Sequence, residues 1–208
     1  MPSSRPEPRA AGRRRLLRAG LAAGGGAWLA GLPLRAAALG PDELAARLRE
    51  GGVVIAFRHA LAPGTFDPPG FTLDDCRSQR NLSDAGRAQA RQIGAWFEAR
   101  GLRPARVRSS PWCRCLDTAR LAFGMAEAWP ALGSPYGARE SSNAENLAAL
   151  RQALAEARQQ PGRFEAWVTH MFVLSDLGLG GASSGEGLLL RAQPSGAVEL
   201  LGRLAPPP

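Results

Sequence analysis

The chain of 208 residues contains two histidines, His59 and His170. Each closes a short apolar run: Val53-Val54-Ile55-Ala56-Phe57 leads through Arg58 to His59, and Trp167-Val168-Thr169 leads to His170. A third segment, Ser109-Ser110-Pro111-Trp112-Cys113-Arg114, supplies another arginine. Two imidazoles and two guanidiniums suit a tetrahedral dianion. Arginine gives forked, charge-assisted hydrogen bonds to phosphate oxygens. A neutral imidazole nitrogen can attack phosphorus, while nearby cations offset charge on the equatorial oxygens. A helix starting near Pro111 would add the positive end of its backbone dipole. A single histidine at a strand end is more often a hydrogen-bonded core residue, and either arginine could be a salt-bridge partner. The phosphoryl chemistry therefore requires that the fold bring the four side chains together.

The elements that must do so are legible. Asp42–Glu50 has the spacing of a short amphipathic helix, with Pro41 near its start and Leu44 and Leu48 on one face. The apolar run 53–57 is the pattern of a strand covered on both faces. Residues 60–79 are rich in Pro and Gly and predict a loop. Ser83 can N-cap a helix to about Arg100. Arg106–Ser110 predicts a second strand, followed by a helix from Pro111 to about Gly124. Residues 125–142 are mixed and loop-like. Asn143–Gln160 is a strong helix stopped by Pro161-Gly162, and 167–169 predicts a third core strand. Gly187–Ala192 and Ala197–Leu204 predict a closing hairpin around Pro194-Ser195-Gly196. Trp96, Phe97 and Trp167 belong to the core, Arg108 to a solvated strand position or, less in keeping with the pattern, to the pocket lining, and Gln79-Arg80-Asn81 either to a turn or to substrate positioning. Alternating strands and helices give an α/β fold, a three-layer sandwich whose mainly parallel central sheet is flanked by helices. Ligands in such sheets bind beyond the carboxyl ends of the strands. Both histidines fall there.

Four segments resemble the histidine phosphatase superfamily, in its phosphoglycerate mutase-like branch. Arg58-His59 is similar to the family's Arg-His-Gly signature, with Ala60 in place of Gly. Asn81-Leu82-Ser83-Asp84-Ala85-Gly86-Arg87-Ala88-Gln89-Ala90 resembles its Leu-Ser/Thr-x-x-Gly-x-x-Gln-Ala helix start. Ser109–Ala119 resembles Ser-Ser-Pro-x-x-Arg-x-x-x-Thr-Ala, and Thr169-His170 the strand of the second histidine, where Met171 replaces a frequent Gly. The resemblance implies catalytic roles for His59, which would become phosphohistidine, and for His170. It implies phosphate binding by Arg58 and Arg114, and neither cofactor nor metal. A general acid would fall at Glu140 or at Asp67; without one, substrates with good leaving groups are favoured. Mutase activity is not expected, because a diphosphorylated cofactor would be needed outside the cell. Asp74-Asp75-Cys76 and the Ser-Pro-Trp-Cys-Arg segment are similar to periplasmic members, one branch of which acts on envelope sugar phosphates. The expected substrate is thus a phosphorylated small molecule or envelope sugar phosphate. The rival reading is a non-catalytic phosphate-binding module.

Export is expected from the first 38 residues. Arg13-Arg14-Arg15 precede a weakly apolar stretch, Leu21–Leu34, and then Arg35-Ala36-Ala37-Ala38, the three parts of a secretory signal of twin-arginine type. Cleavage after Ala38 would leave 39–208 as the histidine phosphatase domain, periplasmic or secreted, with the twin-arginine export machinery as a partner. The stretch is too short for a bilayer span, so no stable membrane span is expected after cleavage. All 26 basic residues are Arg and the net charge is +8. Seven Arg against one acid lie in 1–38, leaving 19 Arg and 17 acids beyond, which argues against a nucleic-acid partner. Export would also let a disulfide persist. Cys113 and Cys115 point in different directions on a helix, so either could bridge to Cys76 and leave one thiol. A C-x-C pair and two histidines are a poor metal set, although a metal- or disulfide-handling protein is the third class of reading.

Overall fold

Strand β1 (Val53–Arg58) is buried along its whole apolar length, so both of its faces must be covered. The computed structural model describes residues 39–136 and 140–206. The expected export signal and its cleavage point lie outside the described residues. From α1 (Pro41–Glu50) and β1 the chain continues through α2 (Asp84–Glu98), β2 (Arg106–Ser109), α3 (Cys113–Phe123), β3 (Glu127–Ala128), α4 (Glu140–Arg158), β4 (Phe164–Thr169), α5 (Met171–Asp176), β5 (Gly187–Ala192) and β6 (Val198–Leu204). The six strands form one sheet in the order β3-β2-β4-β1-β5-β6. β3, β2, β4 and β1 run parallel, while β5 and β6 close one edge as the expected antiparallel hairpin.

Alternation along the strands divides the core into two layers. Val53, Ile55 and Phe57 of β1 pack with Leu44 and Leu48 of α1, Ile93 and Phe97 of α2, and Cys115 and Ala119 of α3. Val54 and Ala56 face the other way, against Leu150 and Leu154 of α4 and Val173 and Leu174 of α5. Helices on both faces of a mainly parallel sheet make the expected three-layer α/β sandwich. Phe97 and Trp167 are core residues, and Trp96 is partly buried at its edge.

Three differences from the sequence reading bear on the site. The mixed segment after α3 holds a two-residue edge strand, β3, and a 3-10 turn at Pro130–Leu132. A short helix, α5, begins directly after His170. The helix expected at Pro111 starts instead at Cys113, with Trp112 as its cap residue.

The start of α2 fixes the loop that follows β1. Ser83 Oγ accepts from Gly86 N at 3.0 Å, the expected N-cap. Gly86 presses so closely on that loop that a Cβ there would lie 2.0 Å from the Leu61 carbonyl oxygen. Alanine is the better helix former, yet backbone against backbone cannot yield cheaply. Gly86→Ala is therefore expected to lower stability by about 1–3 kcal/mol, read from denaturant unfolding; an unchanged or raised midpoint would contradict this packing.

Candidate active site

The site grows from three adjacent parallel strand ends. Arg58 sits opposite Thr169 in the β1–β4 register, and Ser109 opposite Val168 in the β2–β4 register. The residues just past these ends, His59, Ser110 and His170, are thereby brought to one edge. The imidazole centroids of His59 and His170 are 5.6 Å apart, nearly edge to face. Arg114 arrives on the first turn of α3, and the loop after β1 folds over the edge carrying Asp67 and Arg80. Together they line a cavity of about 260 Å3. His59, His170, Arg58 and Arg114 all border it.

His59 is buried and its ring orientation is set by its own backbone. Nδ1 lies 2.8 Å from the Ala60 carbonyl oxygen, so Nδ1 carries the hydrogen and donates it. The lone pair is left on Nε2, which faces Arg80 Nη2 at 3.5 Å. Burial is the main reason that the His59 pKa falls to about 3; the Ala60 bond opposes this, and the charges of Arg114, Arg80 and Arg58 reinforce it. A neutral ring with a free Nε2 is the form able to attack an electrophile. The alanine that replaces the family glycine fits without strain: Ala60 packs with Ala62, Leu82 and Ala90, and its N–H donates to Thr118 Oγ1 at 3.1 Å.

His170 is also held from behind. Its Nε2 lies 2.7 Å from Ser110 Oγ, and its Nδ1 lies 3.5 Å from Arg114 Nη2. The Ser110 hydroxyl can donate or accept, so it can support either tautomer. Burial, followed by the Arg114 charge, holds the His170 pKa well below the ordinary imidazole value.

Each cation is anchored through its Nη1. Arg58 Nη1 donates to Ala182 O at 2.9 Å, Arg80 Nη1 to Ala62 O at 2.6 Å, and Arg114 Nη1 to Asp67 Oδ1 at 2.7 Å. Each keeps a buried Nε without a partner. Three guanidiniums and one carboxylate border the cavity, a local balance of two positive charges. That is the complement of a phosphomonoester dianion.

Two expectations need correction, and one open choice is resolved. Asp67 is unsuited to be a proton donor: it accepts from Arg114, from Arg80 N at 2.9 Å and from Trp112 Nε1 at 3.1 Å. Burial pushes its pKa up, but the Arg114 and Arg80 hydrogen bonds, the Arg114 charge and Trp112 outweigh burial and hold it below the usual value. Glu140, the other candidate, opens α4, and its side chain lies outside the described residues. Arg108 is neither solvated nor at the cavity; it is buried, 3.5 Å from Glu165 and stacked over Trp129. Cys76 bridges to Cys113, leaving Cys115 as a buried thiol whose pKa burial raises to about 12. Among the described residues no cluster of three or more His, Cys, Asp or Glu could hold a metal, and no described helix is long and apolar enough to cross a membrane.

Sequence reasoning weighed Arg80 only as part of a turn or substrate-positioning segment, and it missed Ser110. The available signal was an arginine placed just ahead of the Leu82-Ser83 helix start, on the loop leaving the β1 histidine.

The His59 environment sets a pH expectation. A neutral ring persists while pH stays above its folded value, so lowering the pH through 6.5 leaves it uncharged until about pH 3. Unfolding exposes the ring to its ordinary value, so the unfolded chain takes up the proton first and this group's contribution to stability is lost progressively as pH falls below about 6.5. Imidazole NMR of the phosphate-free protein should show no His59 titration between pH 7.5 and 5; a midpoint near 6.5 would contradict the buried, neutral ring.

Comparison with known proteins bears on the fold. Residues 75–166 match the histidine phosphatase superfamily (branch 1), a stretch that includes Arg80 and Arg114 and stops just short of His170. No curated protein matches the chain. Among solved structures, the protein histidine phosphatase SixA complexed with tungstate aligns with a TM-score of 0.52 at 19% identity, over 74% of this chain and 97% of that one. A mycobacterial hydrolase aligns with a TM-score of 0.54 at 16% identity, over 74% and 99%. A phosphoserine phosphatase mutant from Entamoeba histolytica, bound to phosphoserine, gives 0.51 at 13% identity, over 73% and 95%. At these identities the likeness is one of fold. The sequence match, over residues 75–166, and the shared fold make the chain similar to the histidine phosphatase superfamily, branch 1.

Proposed function

We propose that this protein is an exported phosphohydrolase that takes the phosphoryl group of a phosphomonoester onto Nε2 of His59 and passes it to water. The partial family match and the fold shared with solved phosphatases support this reading. The observation that carries the narrower reading is the lone-pair Nε2 of a neutral His59 beside three guanidiniums with a net local charge of two. In the first step Nε2 forms a bond to phosphorus as the bond to the leaving oxygen breaks, and the electron pair departs on that oxygen. Arg58, Arg80 and Arg114 offset charge on the equatorial oxygens. His170, its Nε2 held by Ser110, borders the phosphoryl group from the Arg114 side. Water then attacks phosphorus, the N–P bond breaks, and its pair returns to Nε2. The Nδ1 hydrogen bond to Ala60 holds the ring in one orientation throughout.

Residues 1–38 support export by their twin-arginine pattern, and the Cys76–Cys113 bridge supports an oxidising compartment. Phosphorylated small molecules, envelope sugar phosphates included, are the substrate field that follows from that location.

The test is turnover together with trapping. Wild type should hydrolyse acetyl phosphate and a chromogenic aryl phosphate and, after an acid-sparing quench, carry acid-labile phosphate on His59. His59→Ala should lose about 1,000-fold or more in kcat, and Arg114→Ala about 100- to 1,000-fold. Full activity in His59→Ala, or label on another residue, would overturn the mechanism; tight phosphate binding with no turnover would favour the binding module. For export, replacing Arg13, Arg14 and Arg15 together by Lys should keep the protein in the cytoplasmic fraction; unaltered export would contradict the twin-arginine assignment.

A further inference from the structure

Beyond the charged floor, the cavity changes character. Its wall carries Phe66 from the loop after β1, Tyr136 from the segment before α4 and Phe172 from α5. These three segments are far apart in sequence, yet their rings form a series. Phe66 and Tyr136 have centroids 4.6 Å apart at 31°, and Tyr136 and Phe172 have centroids 6.4 Å apart at 26°. Phe66 and Tyr136 are 52% and 67% exposed. Large aromatic side chains gathered in the open beside a cluster of buried and half-buried cations mark a surface shaped for a ligand rather than for the core.

The polar groups point the same way. Among the described lining residues Asp67 is the one carboxylate, and Arg114, Arg80 and Trp112 occupy it. Among the described lining residues the wall therefore offers sugar hydroxyls no free carboxylate, only the hydroxyls of Thr65, Ser134 and Tyr136, fewer partners than a polyol would need. None of these three is a carboxylic acid able to protonate a strongly basic leaving oxygen at neutral pH. A phenolic oxygen needs neither: its conjugate acid has a pKa of about 10, and its ring can stack face to face or edge to face with aromatic neighbours.

We infer that the substrate is an aryl phosphate, a monoester on a phenolic oxygen whose ring seats among Phe66, Tyr136 and Phe172 while its phosphoryl group lies on the arginines. The inference rests on the proposed role of His59 and narrows the substrate class at that same site. As the His59 Nε2–P bond forms, the P–O bond to the aryl group breaks and the pair leaves as phenolate, which takes a proton from solvent. Water then supplies the oxygen that releases inorganic phosphate. Ring stacking, not acid assistance, holds the leaving group. A cavity of about 260 Å3 is at the small end of ligand sites, sized for a phosphoryl group and a compact ring.

The experiment compares kcat/KM for phenyl, naphthyl and substituted phenyl phosphates, hexose 6-phosphates and acetyl phosphate, in wild type, Phe66→Ala and Tyr136→Ala. Both positions are exposed, and circular dichroism checks that the variants fold. Wild type should prefer aryl phosphates to hexose phosphates by about 100-fold or more, with rates rising steeply as the leaving phenol becomes more acidic. Each rim variant should lose about 5- to 20-fold on aryl phosphates, mainly through KM, and remain within twofold on acetyl phosphate, which has no ring. Equal or better turnover of hexose phosphates, or rim variants that treat aryl phosphates as wild type does, would overturn the inference while leaving phosphohistidine chemistry intact. Absence of both turnover and His59 label with every compound, acetyl phosphate included, would instead remove the reading on which it rests.

Discussion

β1 and β4 pair in parallel with Arg58 opposite Thr169, and the His59 N–H donates to the Thr169 carbonyl at 3.0 Å. Everything at the site follows from that register. Because side chains alternate along a strand, a slip of one residue would turn each buried position to the opposite layer. The fully buried Ile55, Phe57, Ala166 and Val168 on one face, and Val54, Ala56 and Trp167 on the other, make such a slip prohibitive. The core thus fixes the separation of the two imidazoles, although neither histidine contributes to it as an apolar residue.

Charge is then arranged around a neutral centre. Three guanidiniums converge where the two rings are kept uncharged by burial and by the arginines themselves. Such a cluster is self-repelling, and its internal compensation is a single carboxylate. Asp67 is almost fully buried against Arg114, and the same carboxylate ties down the Arg80 backbone and the Trp112 indole. Removing one partner of such a pair leaves an uncompensated buried charge, costing about 3–5 kcal/mol in general. The Cys76–Cys113 bridge closes a loop of 37 residues next to this pair, and the Cys113 N–H donates to the Gln79 side-chain carbonyl oxygen. A cross-link of this kind stabilises a small domain by about 2–4 kcal/mol. Loop and helix are consequently fastened at the two points between which the arginines must stand.

Strong periodicity made much of this legible before any coordinates. The apolar run at 53–57, the Ser83 cap and the long helix before Pro161 each carry a local signal that tertiary structure reinforces. The two histidines stood out because each ends such a run. Other features had no local signal. β3 is two residues long and α5 only six, too short for a repeat to show. Arg108 follows the alternation of a half-exposed strand, but Glu165 and Trp129, distant in sequence, cover it. The choice between Cys113 and Cys115 depends on which side of α3 faces the loop, and helical spacing alone cannot give that. Asp67 shows the sharpest contrast: a carboxylate near a nucleophile invites a proton-donor role, while its three hydrogen-bond donors make it a fixed anion. Arg80 was hidden for a related reason, since its meaning lies in a 3.5 Å approach to a ring on another strand.

One structure would test the central claim, that a single dianion sits between two neutral imidazoles and three guanidiniums. It is a crystal structure of the full domain grown with vanadate or tungstate. The account predicts the oxyanion within bonding distance of His59 Nε2, with guanidinium nitrogens of Arg58, Arg80 and Arg114 on its oxygens and His170 on the opposite side. An oxyanion bound elsewhere on the surface while this cavity holds only water, or a His59 ring turned so that Nδ1 faces the anion, would contradict it.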